Sequence, residues 1–149
     1  MAQNIAFQSL NGNFTLGNPT LAKGTTTTIS TAAFDFVINN SIYTKAVAAN
    51  FAPTACASQA AGTSCKYLVT VVAAGTVTVT KGTEQVTGSG QPLAWPSVNL
   101  IPANSVVIGS FRIDTATNPF ISGTTAHDAT GVTATYYNYF IPPTTVFLA

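Results

Sequence analysis

Few side chains in this chain can carry out acid–base, nucleophilic or metal chemistry. Its 149 residues include one histidine, His127, and 6% charged residues, against about a quarter in an ordinary soluble domain. His127 adjoins Asp128, but sequence neighbours on a strand point to opposite faces, so adjacency does not make a dyad. A serine nucleophile needs a positioned base and an oxyanion hole, and residues 62–64 and 88–90 lack the nucleophile-elbow context. We therefore predict no catalytic residue, no cofactor and no enzymatic activity.

Metal ligands are equally scarce. Asp114 and Asp128, together with loop carbonyls, are the candidates for a calcium site, because hard cations take oxygen ligands. The carboxylates are scattered and form no Asp-x-Asp run. Cys56 and Cys65 have no nearby histidine or further cysteine, and two thiolates cannot complete a tetrahedral zinc shell. We therefore predict no bound metal.

The two cysteines leave two redox states open. Cys56 and Cys65 flank a short segment rich in Ala, Ser and Gly, and a disulfide closing it would contribute on the order of 2–3 kcal/mol by restricting the unfolded chain. Synthesis in a reducing cytosol argues against the bridge, and an extracellular working life argues for it. The alternative is two small, half-buried residues without a role.

The remaining chemistry-bearing residues point to contact with other molecules. Arg112 and Asp114 lie two apart on a predicted strand, so they share a face and can pair, either as a surface pair of little energetic value or across subunits. Trp95 and the tyrosines near the C-terminus could stack on sugar rings. Their alternative role is to pack a loop, the core and an interface, where tyrosine is favoured. We predict interface residues at Arg112, Tyr136, Tyr137, Tyr139, Phe140, Phe147 and Leu148.

These residues are predicted to lie on strands and in loops. The helix-favouring residues Leu, Glu, Lys and Arg are scarce, whereas the strand-favouring residues Thr and Val are common, as are Gly and Asn. Residues 76–80 alternate strictly between Thr and Val, which predicts a strand with its valines on the core and its threonines toward solvent or a partner. Gly75 and Asn40 lie in predicted turns, and Gly109 marks a bulge or a close backbone approach. The predicted strands cover residues 26–30, 33–39, 42–49, 66–73, 76–80, 85–87, 106–114 and 132–140.

These elements predict an all-β fold, either an antiparallel β-sandwich or a barrel-like jelly roll, with long loops and extended terminal arms. Residues 1–18 are the predicted N-terminal arm, and residues 19–149 form a single β domain with an aromatic C-terminal segment. Residues 88–104 are predicted to form a long loop packed by its own tryptophan. A chain of this length is normally one domain.

The charge and hydropathy of the chain limit the classes of partner that it can bind. The formal net charge is +1, which gives no basic field for nucleic acid or an anionic membrane. The first residues show no signal-peptide pattern, and the longest apolar runs, such as residues 68–74, are too short to cross a bilayer. We expect either a protein made and used without secretion or one whose leader has been replaced by an initiator Met.

Taken whole, the chain resembles virion structural proteins of tailed bacteriophages, most closely the capsid decoration (cement) proteins and head-fibre base domains. The resemblance lies in the Met1-Ala2-Gln3-Asn4 start, the Asn/Gly/Thr-rich residues 11–15, the charge-poor Thr/Val/Ala body, and residues 106–114 followed by 120–125. It implies a β-rich domain that oligomerises and sits on the outer capsid, clamping neighbouring subunits.

The resemblance therefore implies a decoration protein made in the host cytoplasm and located on the outer surface of the virion. Its implied partners are the major capsid protein and copies of itself, as a dimer or trimer. The alternatives are another virion module, such as a head fibre, tail or receptor-binding part, and a secreted adhesin or carbohydrate-binding module.

Overall fold

The Val-, Thr- and Ile-rich segments of this chain form strands of two to eleven residues. A computed structural model describes residues 13–139, and within that range it contains eleven β-strands, one 3-10 turn and no α-helix. Every strand pairing is antiparallel, so the predicted all-β antiparallel class is confirmed. The strands are β1 (Phe14–Thr15), β2 (Ala22–Lys23), β3 (Ile29–Thr31), β4 (Phe34–Ile38), β5 (Ser41–Lys45), β6 (Ala48–Phe51), β7 (Thr63–Val72), β8 (Val77–Lys81), β9 (Gln85–Val86), β10 (Ser105–Thr115) and β11 (Val132–Asn138).

The strands form three sheets around one apolar core. The main sheet has the order β11-β10-β7-β8, with β9 also paired to β7, and two three-stranded sheets have the orders β1-β4-β5 and β2-β3-β6. Ile29, Phe36 and Phe111 come from the three different sheets and belong to the same buried cluster. The sheets are thus arranged in the manner of a sandwich, while jelly-roll connectivity stays a prediction.

The centre of the main sheet explains the imperfect alternation of residues 106–114. The pairing register between β10 and β7 shifts between Val107 and Gly109, so both Ile108 and Phe111 reach the core although they are three residues apart. A Cβ on Gly109 would lie 2.6 Å from the carbonyl oxygen of Tyr137. Both predicted roles of Gly109, the bulge and the close backbone approach, are confirmed.

Two hairpin turns follow the sequence prediction. Asn39 and Asn40 join β4 to β5 with φ of 50° and 63°, the left-handed conformation that asparagine tolerates in tight hairpins. Gly75 (φ 78°) lies between β7 and β8, where its amide donates to the carbonyl of Val72 at 2.8 Å. These turns set the register of β4 against β5 and of β7 against β8.

Three strand predictions need correction. Residues 26–28 lie in a turn, in which the amide of Thr28 donates a hydrogen bond to the carbonyl of Thr25 at 2.9 Å. The strand β3 therefore begins only at Ile29. The predicted strand 42–49 is two strands, β5 and β6, which pair in different sheets. Thr80 of β8 is buried instead of facing solvent, because its hydroxyl contacts the carbonyl of Leu100 at 3.5 Å.

The loop after β9 covers part of the outer face of the main sheet. Leu68, Thr70 and Ser110 lie on the face opposite the core and are nevertheless buried. A Cβ on Gly82 would meet the carbonyl oxygen of Ala94 at 2.7 Å, which shows how closely the loop approaches β8. The main sheet is therefore covered on both sides along its middle.

The end of the predicted N-terminal arm lies within the fold. β1 pairs with β4, and Asn13 is buried, with its side chain accepting from the amide of Asn39 at 3.0 Å and donating to the carbonyl of Ser105 at 3.3 Å. Residues 1–12 of the predicted arm lie outside the described residues.

Candidate functional site

His127 and Asp128 face different surroundings. His127 is 2% exposed and lies among the rings of Phe111, Phe120 and Tyr136, whereas Asp128 is on the surface and forms an ion pair with Lys23. The two side chains therefore do not form a dyad, and the two residues lie in a turn between β10 and β11, where strand alternation does not apply.

The imidazole of His127 is a buried, uncharged group. Its Nδ1 is hydrogen-bonded to the hydroxyl of Tyr136, and its Nε2 is buried with no hydrogen-bond partner among the described residues. Burial lowers the pKa of His127 to about 4, against a smaller opposing effect of the Asp128 charge. At neutral pH the ring contributes packing against Phe111, with ring centroids 5.2 Å apart.

A second buried polar group stabilises the same region, and sequence reasoning missed it. Gln59 is fully buried and donates to the carbonyls of Thr63 (2.9 Å) and Ile113 (3.1 Å), while its Oε1 accepts from the hydroxyl of Tyr67 at 3.0 Å. Tyr67 stacks on Phe111 with ring centroids 4.9 Å apart. Nothing in the local sequence of Gln59 distinguishes it from a surface glutamine.

Both cysteines are free thiols in the structure. Cys65 is fully buried, and burial raises its pKa to about 11, partly offset by the charge of Lys81. Cys56 is half-buried, its pKa is also raised by burial, and its Sγ contacts the carbonyl of Val79 at 3.4 Å. Thiols with raised pKa values are poor nucleophiles and poor metal ligands at neutral pH.

The carboxylates proposed for a calcium site are not brought together. Asp114 pairs with Arg112, and Asp128 pairs with Lys23. Among residues 13–139, no group of three or more His, Cys, Asp or Glu side chains is arranged to hold a metal ion.

The aromatic residues near the C-terminus are divided by strand alternation. Tyr136 points inward to His127, and Tyr137 points outward and is 42% exposed. Beyond the end of β11, Tyr139 bonds the hydroxyl of Ser110 at 2.7 Å and meets the ring of Trp95 edge-on at 6.0 Å. Of the tyrosines predicted at an interface, Tyr137 is thus the one on the surface. Phe140, Phe147 and Leu148 lie outside the described residues.

A cleft of about 590 Å³ opens on the outer face of the main sheet, beside the loop that begins at Gly88. Two cations, Lys66 of β7 and Arg112 of β10, lie directly opposite each other in the strand register. The cleft is lined by these cations, by Ser64, Tyr137 and Val86, and by the loop residues Gly88, Ser89, Gly90, Gln91, Pro92 and Leu93 together with Gln85.

Ion pairing in this cleft lies within one chain. The Nε and Nη2 of Arg112 donate to the same oxygen, Oδ1 of Asp114, at 2.8 and 2.6 Å, and the hydroxyl of Ser64 donates to that oxygen as well. The predicted pairing of Arg112 with Asp114 is present, and it does not require a second subunit. The ammonium of Lys66 lies over the ring of Trp95, 4.3 Å from its centroid.

Large apolar side chains are also exposed outside the core. Within residues 13–139, five aliphatic residues are more than half exposed: Ile42 (69%), Val47 (68%), Val86 (68%), Val98 (55%) and Leu100 (62%). Val98 and Leu100 belong to the 3-10 turn of the covering loop, and Val86 lines the cleft. Single exposed aliphatic groups are common on protein surfaces, and a contiguous group of them marks an interaction site; Val98 and Leu100 lie within one three-residue turn.

Comparison with protein-family models, with curated protein sequences and with solved structures gave no match. Among residues 13–139, no helix has the length and hydropathy needed to cross a bilayer.

Proposed function

We propose that this protein is a virion structural protein: a capsid decoration (cement) protein that binds the outer capsid surface and stabilises contacts between major capsid subunits. The observation that carries the proposal is the combination of a charge-poor β fold with exposed aliphatic side chains, such as Ile42 and Leu100. Its partners would be the major capsid protein and further copies of itself, after synthesis in the host cytoplasm.

Physical chemistry favours such a surface for adhesion between proteins. Complete burial of one Val, Leu or Ile side chain contributes about 1.5–3 kcal/mol. Leu100 is 62% exposed, so burial against a partner can still contribute more than half of this free energy. Neutral hydroxyl and amide groups lose less on desolvation than charges do. A shell with many copies gains further through multivalency, so each contact can be modest.

The direct test is cosedimentation of the purified protein with undecorated capsids. We expect saturable binding, and we expect Leu100→Ser to weaken it because the exposed side chain of Leu100 is removed from the contact. Thr133→Ser, an exposed polar replacement on β11, serves as the matched control and should bind like the parent protein. Protein that stays in the supernatant at saturating concentration contradicts the proposal.

The competing functions give different results in related experiments. A head fibre, tail or receptor-binding module would occupy another position on the particle in micrographs, with a different copy number. A sugar-binding module would bind glycans through the exposed ring of Tyr137, and Tyr137→Ala would abolish that binding.

A further inference from the structure

We propose that the cleft between β7, β10 and the loop at residues 88–93 binds a carboxylate side chain of an acidic segment on a protein partner. The inference rests on the proposed function and deepens it, since it assigns a chemistry to one contact with the capsid. The juxtaposition that carries it is Lys66 beside Arg112 in a lined cleft on an otherwise charge-poor surface.

The two cations repel each other in the absence of a ligand. Residues directly opposite in an antiparallel pair have Cβ atoms about 4.5–5.5 Å apart, and like charges there are destabilising. Burial, and then the charge of Arg112, lowers the pKa of Lys66. An anion placed between the two side chains would relieve this repulsion.

The chain neutralises only one of the two cations with a carboxylate. Asp114 accepts from Arg112, whereas Lys66 contacts the face of Trp95 and forms no ion pair among the described residues. Other carboxylates are engaged elsewhere: Glu84 with Lys81 and Asp128 with Lys23. The cleft therefore retains one unit of positive charge that a partner can complement.

The size and lining of the cleft favour a peptide over a small ion. Its volume of about 590 Å³ lies within the range of about 300–1,000 Å³ that is typical of ligand sites. Val86 and Tyr137 supply exposed apolar surface at its walls, and Gln85 and Gln91 supply amide groups. An Asp or Glu flanked by apolar residues matches this combination of charge, apolar surface and hydrogen-bonding groups.

The first experiment is an NMR titration of the protein with the capped peptide Ala-Leu-Glu-Leu-Ala. We expect saturable shifts of the signals of Lys66, Arg112 and Tyr137, and no binding of the peptide in which Gln replaces Glu. Inorganic phosphate and glucuronic acid are titrated in parallel. Binding of either one as tight as that of the peptide would overturn the assignment to a protein carboxylate, as would the absence of any shift.

Variants separate the cleft from general charge effects. Lys66→Gln should weaken peptide binding by about tenfold, a smaller loss than truncating one partner of a fully buried charge pair produces, because Lys66 is only partly buried. Lys66→Arg keeps the charge and should retain binding. Lys45→Gln removes the same charge outside the cleft and is the matched control. Equal affinity of the Lys66→Gln and parent proteins, or an equal loss in Lys45→Gln, overturns the proposal.

Arg112→Gln gives an independent check, with a thermal melt to establish that the variant is folded. We expect the same loss of peptide binding as in Lys66→Gln, and retained binding would count against the site. Cosedimentation with undecorated capsids then distinguishes the two proposals. If the parent and Lys66→Gln proteins sediment equally, the cleft assignment fails and the decoration function stands. If the parent protein does not sediment, the decoration function fails, while the peptide titration still tests the cleft.

Discussion

Acidification between pH 6.5 and pH 4 is expected to destabilise the folded protein through His127. The side chain is buried among aromatic rings, and burial lowers its pKa from 6.5 to about 4. Between these values the unfolded chain binds a proton that the folded chain does not, so the free energy of unfolding falls as the pH falls. Above pH 6.5 the ring is neutral in both states, and its effect on stability no longer depends on pH.

The size of the effect follows from that shift. Each unit of pKa difference corresponds to about 1.36 kcal/mol, so the displacement from 6.5 to about 4 removes about 3 kcal/mol of stability by pH 4. About two thirds of this loss is expected by pH 5. It is a large part of the roughly 5–15 kcal/mol that stabilises a typical domain.

The change in unfolding free energy can be assigned to one imidazole, because His127 is the only histidine in the sequence. Hydrogen bonds from Lys81 and Ala60 lower the pKa of Glu84 despite its partial burial, and the bond and charge of Lys23 lower that of Asp128. The stability that these two carboxylates contribute is present above their ordinary values of 4.5 and 3.8 and is lost only below them. The interval from pH 7 to pH 5 therefore reports mainly on the imidazole.

The assay is urea unfolding at a series of pH values, with the free energy obtained by linear extrapolation. The matched control is the double variant His127→Phe with Tyr136→Phe, which removes both partners of the buried hydrogen bond and leaves neither unpaired. Its stability should be nearly constant from pH 7 to pH 5. A parent protein with equally constant stability, or with increased stability at pH 5, would refute the reasoning.

Three further predictions concern the fold and its termini. Gly109→Ala should lower the unfolding free energy by about 1–3 kcal/mol through overpacking, because the new Cβ would lie 2.6 Å from the carbonyl oxygen of Tyr137; an unchanged urea midpoint would show that the backbone can separate there. Cys65 should react slowly with an aromatic disulfide reagent at pH 8 in the native state and rapidly after unfolding, because burial raises its pKa to about 11. Intact-mass measurement before reduction provides the check, since a loss of two hydrogen atoms would establish the Cys56–Cys65 bridge instead. Deletion from Tyr139 onward should reduce oligomeric order or solubility, since it removes the aromatic C-terminal segment and the bond to Ser110; light scattering that gives the same mass, together with an unchanged melting temperature, would contradict this role.

Sequence patterns predicted those elements of the fold that depend on interactions between residues close together in the sequence. The strand predicted at residues 76–80, the Asn39–Asn40 turn and Gly109 each depend on a few neighbouring residues, and the structure has a strand at Val77–Lys81, the turn and the bulge at Gly109. The division of residues 42–49 into β5 and β6 could not be predicted, because it depends on which sheet each half joins. The burial of Thr80 depends on a loop that lies 20 residues further along the chain.

The candidate site was predictable only in part. The shared face of Arg112 and Asp114 follows from their spacing, but the position of Lys66 opposite Arg112 is set by the bulged register of β10 against β7. Tyr136 and Tyr137 were both predicted at an interface, with packing in the core as the alternative, and strand alternation places Tyr136 toward the core and Tyr137 in the cleft. Register and loop placement are tertiary properties, which a single strand pattern does not contain.

An electron-microscopy map of the native particle tests most directly the claim that this protein works by lying against other proteins. We expect density for the chain on the outer shell, bridging adjacent major capsid subunits, with Leu100 or Ile42 against a neighbour and the Lys66–Arg112 cleft facing an acidic side chain. Particles without this chain, or with these residues all facing solvent, would contradict it.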